Sequence, residues 1–362
     1  MHGTADRRIL VAMSGGVDST MAVYLLKEQG YKPEGVTFIF WCYGDTEHYQ
    51  DVVNRARENC TRLGIMHHTL DLAKEFKAAV VRQFVDDYLT GITPNPCVSC
   101  NRVMKWRYLL EFADRLEIPR VATGHYGRVT YNSQTGRFEI QRGSDPRKDQ
   151  TYMLWQLSQE SLIRTLLPLG DLRKEQVKTL AERIGLSFFN QKESQDICFL
   201  PANDYREFLL SEFPQRLASI GSGELVDETG KVLGQHAGFY HFTIGQRKGF
   251  HKGFAGRKYV KEIDVLNNRV IIADNEKLFS RRMYLKNVNW VSAPATEKVA
   301  GTIKIRYNHR GVPAVARVFE GGRYLVEFQE PQRAVTPGQS AVLYQGDRLI
   351  MGGVIEVTEP IS

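Results

Sequence analysis

The sequence predicts an α/β fold: a Rossmann-like parallel-sheet domain followed by two small β-rich domains, the last barrel-like. Three observations carry this. An apolar run, ILVAM, ends in Ser14-Gly15-Gly16-Val17-Asp18-Ser19 and leads into a helical pattern. Strand-like and helix-like segments alternate through the first half, the rhythm of a parallel sheet covered on both faces. From about residue 220 glycine becomes frequent and period-two alternation replaces helical spacing, the texture of small antiparallel sheets and barrels.

The elements follow in order. Residues 9–13 read as a buried strand, and 19–29 as a helix with Ala22, Leu25 and Leu26 on one face and Gly30 as its stop. Residues 35–41 form a second strand, 46–63 a helix closed by Gly64, and 66–70 a short strand. Asp71 is placed to cap a helix running to about residue 89. The Pro-rich stretch TPNPCVSCN reads as a loop before a helix over 103–117, and Pro119 leads into the strand RVATGH. GRVTYN and GRFEIQR, around a Ser-Gln-Thr-Gly turn, predict a hairpin insertion at 127–142; helices return at 158–167 and 172–184. The alternating segments GELVDETGKVLG, KYVKEIDVLNNRVIIAD, GTIKIRYN, AVARVFEGGRYLVEF and SAVLYQGDRLIMGGVIEV carry Asn-Asn, Gly-Gly and Gln-Gly-Asp at turn positions. Boundaries near 205 and 280 divide the chain into 1–205, 206–280 and 281–362.

Lys and Arg number 48 against 41 Asp and Glu, a net charge of +7 in 362 residues. That excess favours polyanions or phosphate-bearing substrates. The N-terminus lacks an apolar signal core and no run reaches membrane-span length, so the chain reads as cytoplasmic, with no membrane partner. Five cysteines are too few and too scattered for a disulfide scaffold. In a reducing compartment, clustered cysteines point to catalysis or metal.

The glycine turn suits phosphate. Backbone N–H groups between a strand and a helix converge on an anion, and glycines allow close approach. Ser14 and Ser19 offer hydroxyls; Asp18 is placed either to cap the helix or to help hold magnesium. No lysine follows the second glycine, so this is not a Walker A loop. It resembles the SGGxDS loop of the N-type ATP pyrophosphatases, which split ATP between the α and β phosphates. A loop gripping pyrophosphate leaves the α-phosphorus open to an attacking oxygen. The products are an adenylated substrate and pyrophosphate, and a second nucleophile must then displace the activated oxygen.

Cysteines supply one. Cys97 and Cys100 stand in the CxxC of the Pro-rich stretch, and Cys198 lies far along the chain in SQDICF. CxxC is also half a zinc site. Three thiolates with one open iron would suit an iron–sulfur cluster, which is possible here but not predicted. Cys42 and Cys60 lie in apolar segments and read as core.

ILVAMSGGVDS, TPNPxxxCN, ATGHY, KDQTYML, SQDICF and TIGQRKG occur in this order. Together they resemble the MnmA-type tRNA 2-thiouridylases, and the β-rich tail fits that family. The resemblance implies that ATP adenylates the C2 oxygen of a wobble uridine in tRNA. Sulfur then passes from a cysteine persulfide, loaded by a sulfurtransferase or sulfur-relay partner, to give 2-thiouridine, AMP and pyrophosphate. By motif match Cys100 is the nucleophile and Cys198 the persulfide carrier. Either the persulfide attacks C2 directly, or Cys100 attacks the Cys198 persulfide and liberates hydrosulfide, leaving a Cys100–Cys198 disulfide. Both routes need thiolate, so a polar or electropositive setting that lowers the thiol pKa is expected.

The same resemblance implies ATP contacts at Ala12, Met13, Ser14, Gly15, Gly16, Val17, Asp18, Ser19, Phe38 and Gly124. ATP and Mg2+ are the expected cofactors, with no side chains assigned to a resident metal. Asn95, Pro96 and Cys97 would line the target-base pocket. Cys97 is a departure, because many family members carry Asp there. His125, Lys148, Asp149, Gln150, Arg306, Tyr307 and Gln339 would contact tRNA. The basic, glycine-containing stretch 245–252, with Arg257, Lys258 and Lys261 beyond it, reads as a phosphate-backbone surface. Two other readings stand beside this one: an amide- or amine-forming ligase using the same loop, and a noncatalytic RNA-binding protein.

Overall fold

The computed structural model describes residues 7–44, 48–186, 197–200, 204–247 and 256–360. Five strands make the first sheet: β1 (Arg8–Ala12), β2 (Lys32–Ile39), β3 (His67–Asp71), β4 (Arg120–Ala122) and β7 (Thr165–Leu166). They lie in the order β3-β2-β1-β4-β7, every neighbouring pair parallel. The strand order switches between β1 and β4. Their carboxyl ends therefore open a crevice, the ligand position of such sheets.

Alternation along β1 explains the layers. Ile9 and Val11 pack with Ala22, Val23 and Leu26 of α1 (Val17–Glu28) and with Ala56 and Cys60 of α2 (His48–Arg62). Leu10 points the other way, into a cluster with Phe76, Val80, Met104 and Leu109. Those residues come from two long helices, α3 over 73–89 and α4 over 96–115. All three β1 side chains are fully buried, and each contributes roughly 1.5–3 kcal/mol.

Two expectations need correction. Pro96–Cys100 is helical, with Pro96 in the first turn where its missing N–H costs nothing; the CxxC therefore lies on α4, not in a loop. The helix expected over 158–167 stops early: α5 is Gln159–Ile163, started by Ser158, whose hydroxyl accepts from Ser161 N at 3.2 Å. The chain then extends as β7, because Thr165 and Leu166 complete the sheet beside β4. The later helix, α6, spans Lys174–Arg183.

The middle of the chain forms a sheet in the order β10-β11-β8-β9. Its strands are β8 (Gly223–Val226), β9 (Val232–His236), β10 (Tyr259–Asp264) and β11 (Arg269–Ala273). The β11–β8 pair is parallel, against the antiparallel expectation. The last six strands are β12 (Phe279–Trp290), β13 (Lys298–Lys304), β14 (Val312–Val318), β15 (Tyr324–Arg333), β16 (Ser340–Gln345) and β17 (Arg348–Pro360). They run β12-β15-β14-β13-β16-β17, and pairing of β12 with β17 closes the barrel and removes its edges.

The hairpin β5 (Arg128–Asn132) and β6 (Arg137–Gln141) forms as expected, but its partner is distant. β6 pairs with β17, placing Gln141 opposite Arg348 and Ile140 opposite Leu349. Nearby, Trp155 lies so close to Gly352 that a Cβ there would sit 2.5 Å from the indole, and Trp155 Nε1 donates to Ser340 Oγ at 3.0 Å. The barrel is thereby stitched to the segments that lie between β4 and β7 of the first sheet. Among the described residues, no helix is long and apolar enough to cross a membrane.

Candidate functional site

The glycine turn sits at the end of β1, in the crevice. Gly15 adopts φ +70°, and a Cβ on it would meet Val52 O at 2.9 Å and Arg55 Cβ at 3.1 Å. The turn therefore needs glycine both for conformation and for its seat on α2. A Cβ at Gly16 would meet only Ser14 Oγ, at 3.4 Å, so the outer side of the turn is open to a ligand. Ser14 N donates to Ser19 Oγ at 3.1 Å and the two hydroxyls lie 3.2 Å apart. Asn59 holds the turn from below, donating to Gly15 O at 3.4 Å and Thr20 Oγ1 at 3.1 Å. Ala12 and Met13 lead into the turn, and Met13 N donates to Val36 O at 2.8 Å.

Asp18 does not cap the helix; the cap position is Gly16, with no side-chain bond. Instead its carboxylate accepts from Lys174 Nζ at 2.7 Å on each oxygen and from Tyr126 OH at 2.8 Å. The residues of the turn fit ATP phosphates, but Asp18 is a poor magnesium ligand because both oxygens are engaged. Magnesium is commonly held by substrate phosphates and water instead. Gly124 has a packing reason: a Cβ there would lie 2.8 Å from Ser19 N, so this glycine lets the end of β4 approach α1. Phe38 is 7% exposed and stacks on Phe40 at 5.9 Å within the core.

The thiols gather across the same end of the sheet. Tyr43 N donates to Phe199 O at 3.0 Å, and Cys42 Sγ lies 3.8 Å from Cys198 O, fixing Cys198 just past the end of β2. Cys60 is core, but Cys42 is half-buried and lines this place, contrary to the sequence reading. Cys97 and Cys198 reach solvent, whereas Cys100 is buried. Tyr49 hydrogen-bonds Cys198 and packs edge-on against Phe40 at 6.1 Å.

The thiol pKa expectation is overturned. Burial pushes Cys100 up to about 12 and Cys97 up to about 11, and it raises Cys198 as well. Cys97 and Cys198 present surface, yet enough protein surrounds them to strip hydration a thiolate needs. Among the described residues one cation opposes this: Lys105 favours the charged form of all three.

Sequence reasoning missed Lys105 because α4 is not a plain α-helix. Its middle, Asn101–Trp106, is π-helical. In an α-helix, residues five apart lie roughly 140° apart around the axis. The i→i+5 bonding of a π-helix brings them close to one face, so Lys105 shares the side of Cys100. Trp106 anchors the segment, donating from Nε1 to Thr165 Oγ1 at 2.9 Å. His125 lies against that indole, 5.4 Å between ring centres, and shares a 2.8 Å hydrogen bond between Nδ1 and Thr123 Oγ1. Burial first, and Lys105 second, depress its pKa to about 3. Lys174 was also missed, since its helix is remote in sequence.

The residues expected at tRNA divide in two. Tyr307 and Tyr152 lie 6.1 Å apart, with Lys304 Nζ 5.7 Å over the Tyr307 ring; Arg306 is exposed beside them and also acts electrostatically on Tyr152. Tyr152 hydrogen-bonds Asn95. Gln339 Nε2 donates to Thr93 O at 3.2 Å and Pro94 O at 3.0 Å, so the barrel grips the strip leading to Asn95, Pro96 and Cys97. By contrast, Asp149 is buried and accepts from Thr151 N and Oγ1 at 3.2 and 2.8 Å. Gln150 Oε1 accepts from Tyr126 N at 2.9 Å. Lys148, beside them, is half-buried. In the basic stretch, Lys258 pairs with Asp274 at 2.9 Å and Lys261 with Glu228 at 2.6 Å. Residues 194–196 of the SQDICF motif and 248–252 of the basic stretch lie outside the described residues. Among the described residues, no group of three or more His, Cys, Asp or Glu is placed to hold a metal ion.

A glycine turn at the switch point of a parallel sheet, with thiols gathered across the same strand ends, defines a class: an α/β protein of nucleotide-turn type that brings cysteine chemistry to its crevice. Family models match in series along the chain. They are the tRNA methyl transferase HUP domain over residues 7–202, the tRNA methyl transferase PRC-barrel domain over 207–274 and the aminomethyltransferase beta-barrel domain over 280–355. A relative in Geobacter metallireducens, tRNA-specific 2-thiouridylase MnmA, is 42% identical over 98% of this chain and 98% of its own length. The protein of that name in Carboxydothermus hydrogenoformans is 42% identical over 97% of this chain and 98% of its own. The chain belongs to the tRNA-specific 2-thiouridylase family. A solved 4-thiouridine synthetase in complex with RNA and ATP is similar at 19% identity, covering 58% of this chain and 51% of that one, with a TM-score of 0.39.

Proposed function

We propose that this protein is an ATP-dependent tRNA uridine 2-sulfurtransferase. Residues 12–19 hold ATP by the outer side of the glycine turn, with Phe38 and Gly124 bordering the nucleotide. Lys174 keeps Asp18 from repelling the phosphates. The uracil C2 oxygen attacks the α-phosphorus, pyrophosphate leaves, and C2 becomes electrophilic. A flipped wobble base in an anticodon loop reaches such a crevice at lower cost than a base in a duplex. Asn95, Pro96 and Cys97 border its pocket; Arg306, Tyr307 and Gln339, joined by Lys304, lie where the anticodon arm approaches, with His125 and Lys148 to Gln150 behind it.

Cys198 carries the persulfide, loaded by a sulfurtransferase or relay partner at its solvent-facing position. Tyr49 donates a hydrogen bond to that sulfur and Lys105 favours its anionic form. The sulfur passes to C2 and AMP leaves. Cys100 attacks the Cys198 sulfur, breaking the persulfide S–S bond and forming a Cys100–Cys198 disulfide. Magnesium would be held by the ATP phosphates and water and not by Asp18, and would offset phosphate charge there. The observation that supports this reading is the placement of Cys198 past the end of β2, with Lys105 acting both on Cys100 and Cys198 and on His125 past β4, around the glycine turn of β1.

The test is purified protein with ATP, unmodified tRNA and a persulfide source. Pyrophosphate release should require both ATP and tRNA, and nucleoside mass spectrometry should find 2-thiouridine. Cys100→Ser and Cys198→Ser should abolish the thiolated product. An amide-forming ligase would continue to turn over in both variants. Unchanged 2-thiouridine in cells lacking this protein would remove the proposal.

A further inference from the structure

Three cysteines meet where the sulfur transfer just described uses two. Cys97 and Cys100 stand three residues apart on the first turn of α4, a spacing that puts their Cβ atoms about 5–6 Å apart on one side of a helix. A disulfide needs about 3.5–4.5 Å, a small closure. The two differ in access: Cys100 is 5% exposed, whereas Cys97 faces solvent. Cys198 acts electrostatically on both, and Cys97 acts on Cys100, so all three share one neighbourhood.

Turnover leaves Cys100 locked to Cys198. The Cys100 sulfur of that bridge is buried, so an external reductant meets only the Cys198 side and would cap the carrier as a mixed disulfide, and Cys198 cannot be reloaded while it is bridged. We propose that Cys97 is a resolving cysteine, which carries the oxidation from the buried thiol to the surface. This rests on the function proposed above.

The exchange balances. The Cys97 thiolate attacks the Cys100 sulfur of the Cys100–Cys198 disulfide. The Cys97–Cys100 bond forms, the Cys100–Cys198 bond breaks, and the electron pair leaves on Cys198 as thiolate. Nothing is oxidised or reduced overall. A dithiol reductant then attacks the exposed Cys97 sulfur, supplies two electrons and returns Cys100 to the thiol. Cys198 is the better leaving group of the two candidates, because Tyr49 and Lys105 both stabilise its anion. The exchange therefore frees the persulfide carrier first.

Disulfide mapping tests this. Wild-type protein loaded with persulfide is incubated with ATP and tRNA without reductant, quenched in acid, alkylated and digested with trypsin. Cys97 and Cys100 fall in one peptide and Cys198 in another. The expected product is a first peptide lighter by a pair of hydrogens, with Cys198 alkylated. Cys97→Ser should instead accumulate the Cys100–Cys198 cross-link. Thiouridine formed with only a Cys100–Cys198 bridge in wild type, or with a Cys42–Cys198 bridge, overturns the inference while leaving the sulfurtransferase reading intact. A second arm separates the two: wild-type protein is equilibrated with glutathione disulfide, without ATP or tRNA. It should settle with the bridge between Cys97 and Cys100, and a settled Cys100–Cys198 bridge overturns the inference whatever the enzyme's activity.

Discussion

The ammonium of Lys174 lies 2.7 Å from each carboxylate oxygen of Asp18, across 156 residues of sequence. Lys174 is nearly buried, at 8% side-chain exposure against 30% for Asp18. Removing one partner of a fully buried pair costs about 3–5 kcal/mol. Partial exposure of Asp18 lowers that, so Lys174→Met should destabilise the fold by about 2 kcal/mol in urea titrations. It should also raise the KM for ATP roughly tenfold or more, equivalent to about 1.4 kcal/mol. An unchanged KM would show that the pair serves the fold alone.

Lys105 opposes the burial that keeps the three thiols protonated. Replacing it with Gln removes the one cation that, among the described residues, acts on all three, so their pKa values should rise further. Alkylation of Cys198 by iodoacetamide at pH 8 should slow by roughly 3–10-fold. In the wild type, where Cys97 is pushed up to about 11 and Cys100 to about 12, labelling of both should climb about tenfold per pH unit between pH 7 and 9. A plateau below pH 9 would contradict the burial argument.

His125 is neutral in the fold. Its pKa falls to about 3 because burial, and then Lys105, disfavour the imidazolium. The unfolded chain binds this proton near pH 6.5. Stability is thus complete above pH 6.5 and is lost as pH falls toward 3. His125→Gln should flatten the acid limb by up to about 3 kcal/mol at pH 4.5, measured by urea midpoints. Proton NMR should find this ring untitrated at pH 5.

Gly338 adopts φ +90°, and a Cβ there would sit 2.1 Å from Ile92 Cγ2 and 2.6 Å from Thr93 O. Gly338→Ala should push the barrel loop off the 92–94 strip. Gln339→Ala is milder and removes only the two bonds to Thr93 and Pro94. It should speed amide hydrogen exchange over residues 93–101 and lower thiolation about tenfold, with ATP affinity unchanged. Equal loss of ATP binding would place the effect in the fold as a whole.

Local pattern made much of the fold legible. The apolar strand, glycine turn and helix at 8–28 stand close to their expected places, and the parallel rhythm and β-rich tail follow from hydrophobic period. What stayed hidden depends on contacts between distant segments or on helix pitch. Nothing in 137–141 says that its partner is Arg348 and Leu349. Lys174 meets Asp18 only because α6 packs beside α1. Lys105 would face away from Cys100 on an ordinary helix, and only the π-helical stretch turns it back. Asp149 and Gln150, read as RNA-facing from their motif, bond inward to Thr151 and Tyr126. Thiol acidity could not be read from residue type, since burial outweighs the neighbouring cation.

Strand β17 is paired on one side to β12 and on the other to β16, and near its start it also takes β6. On the ribosome, the early half of the chain therefore emerges with a strand edge and the indole of Trp155 waiting for a segment made last. The grip of Gln339 on the 93–94 strip arrives equally late. A nascent chain released short of about residue 350 would hold its nucleotide turn and its cysteines, yet leave the base pocket unbraced and an open strand for neighbours to join.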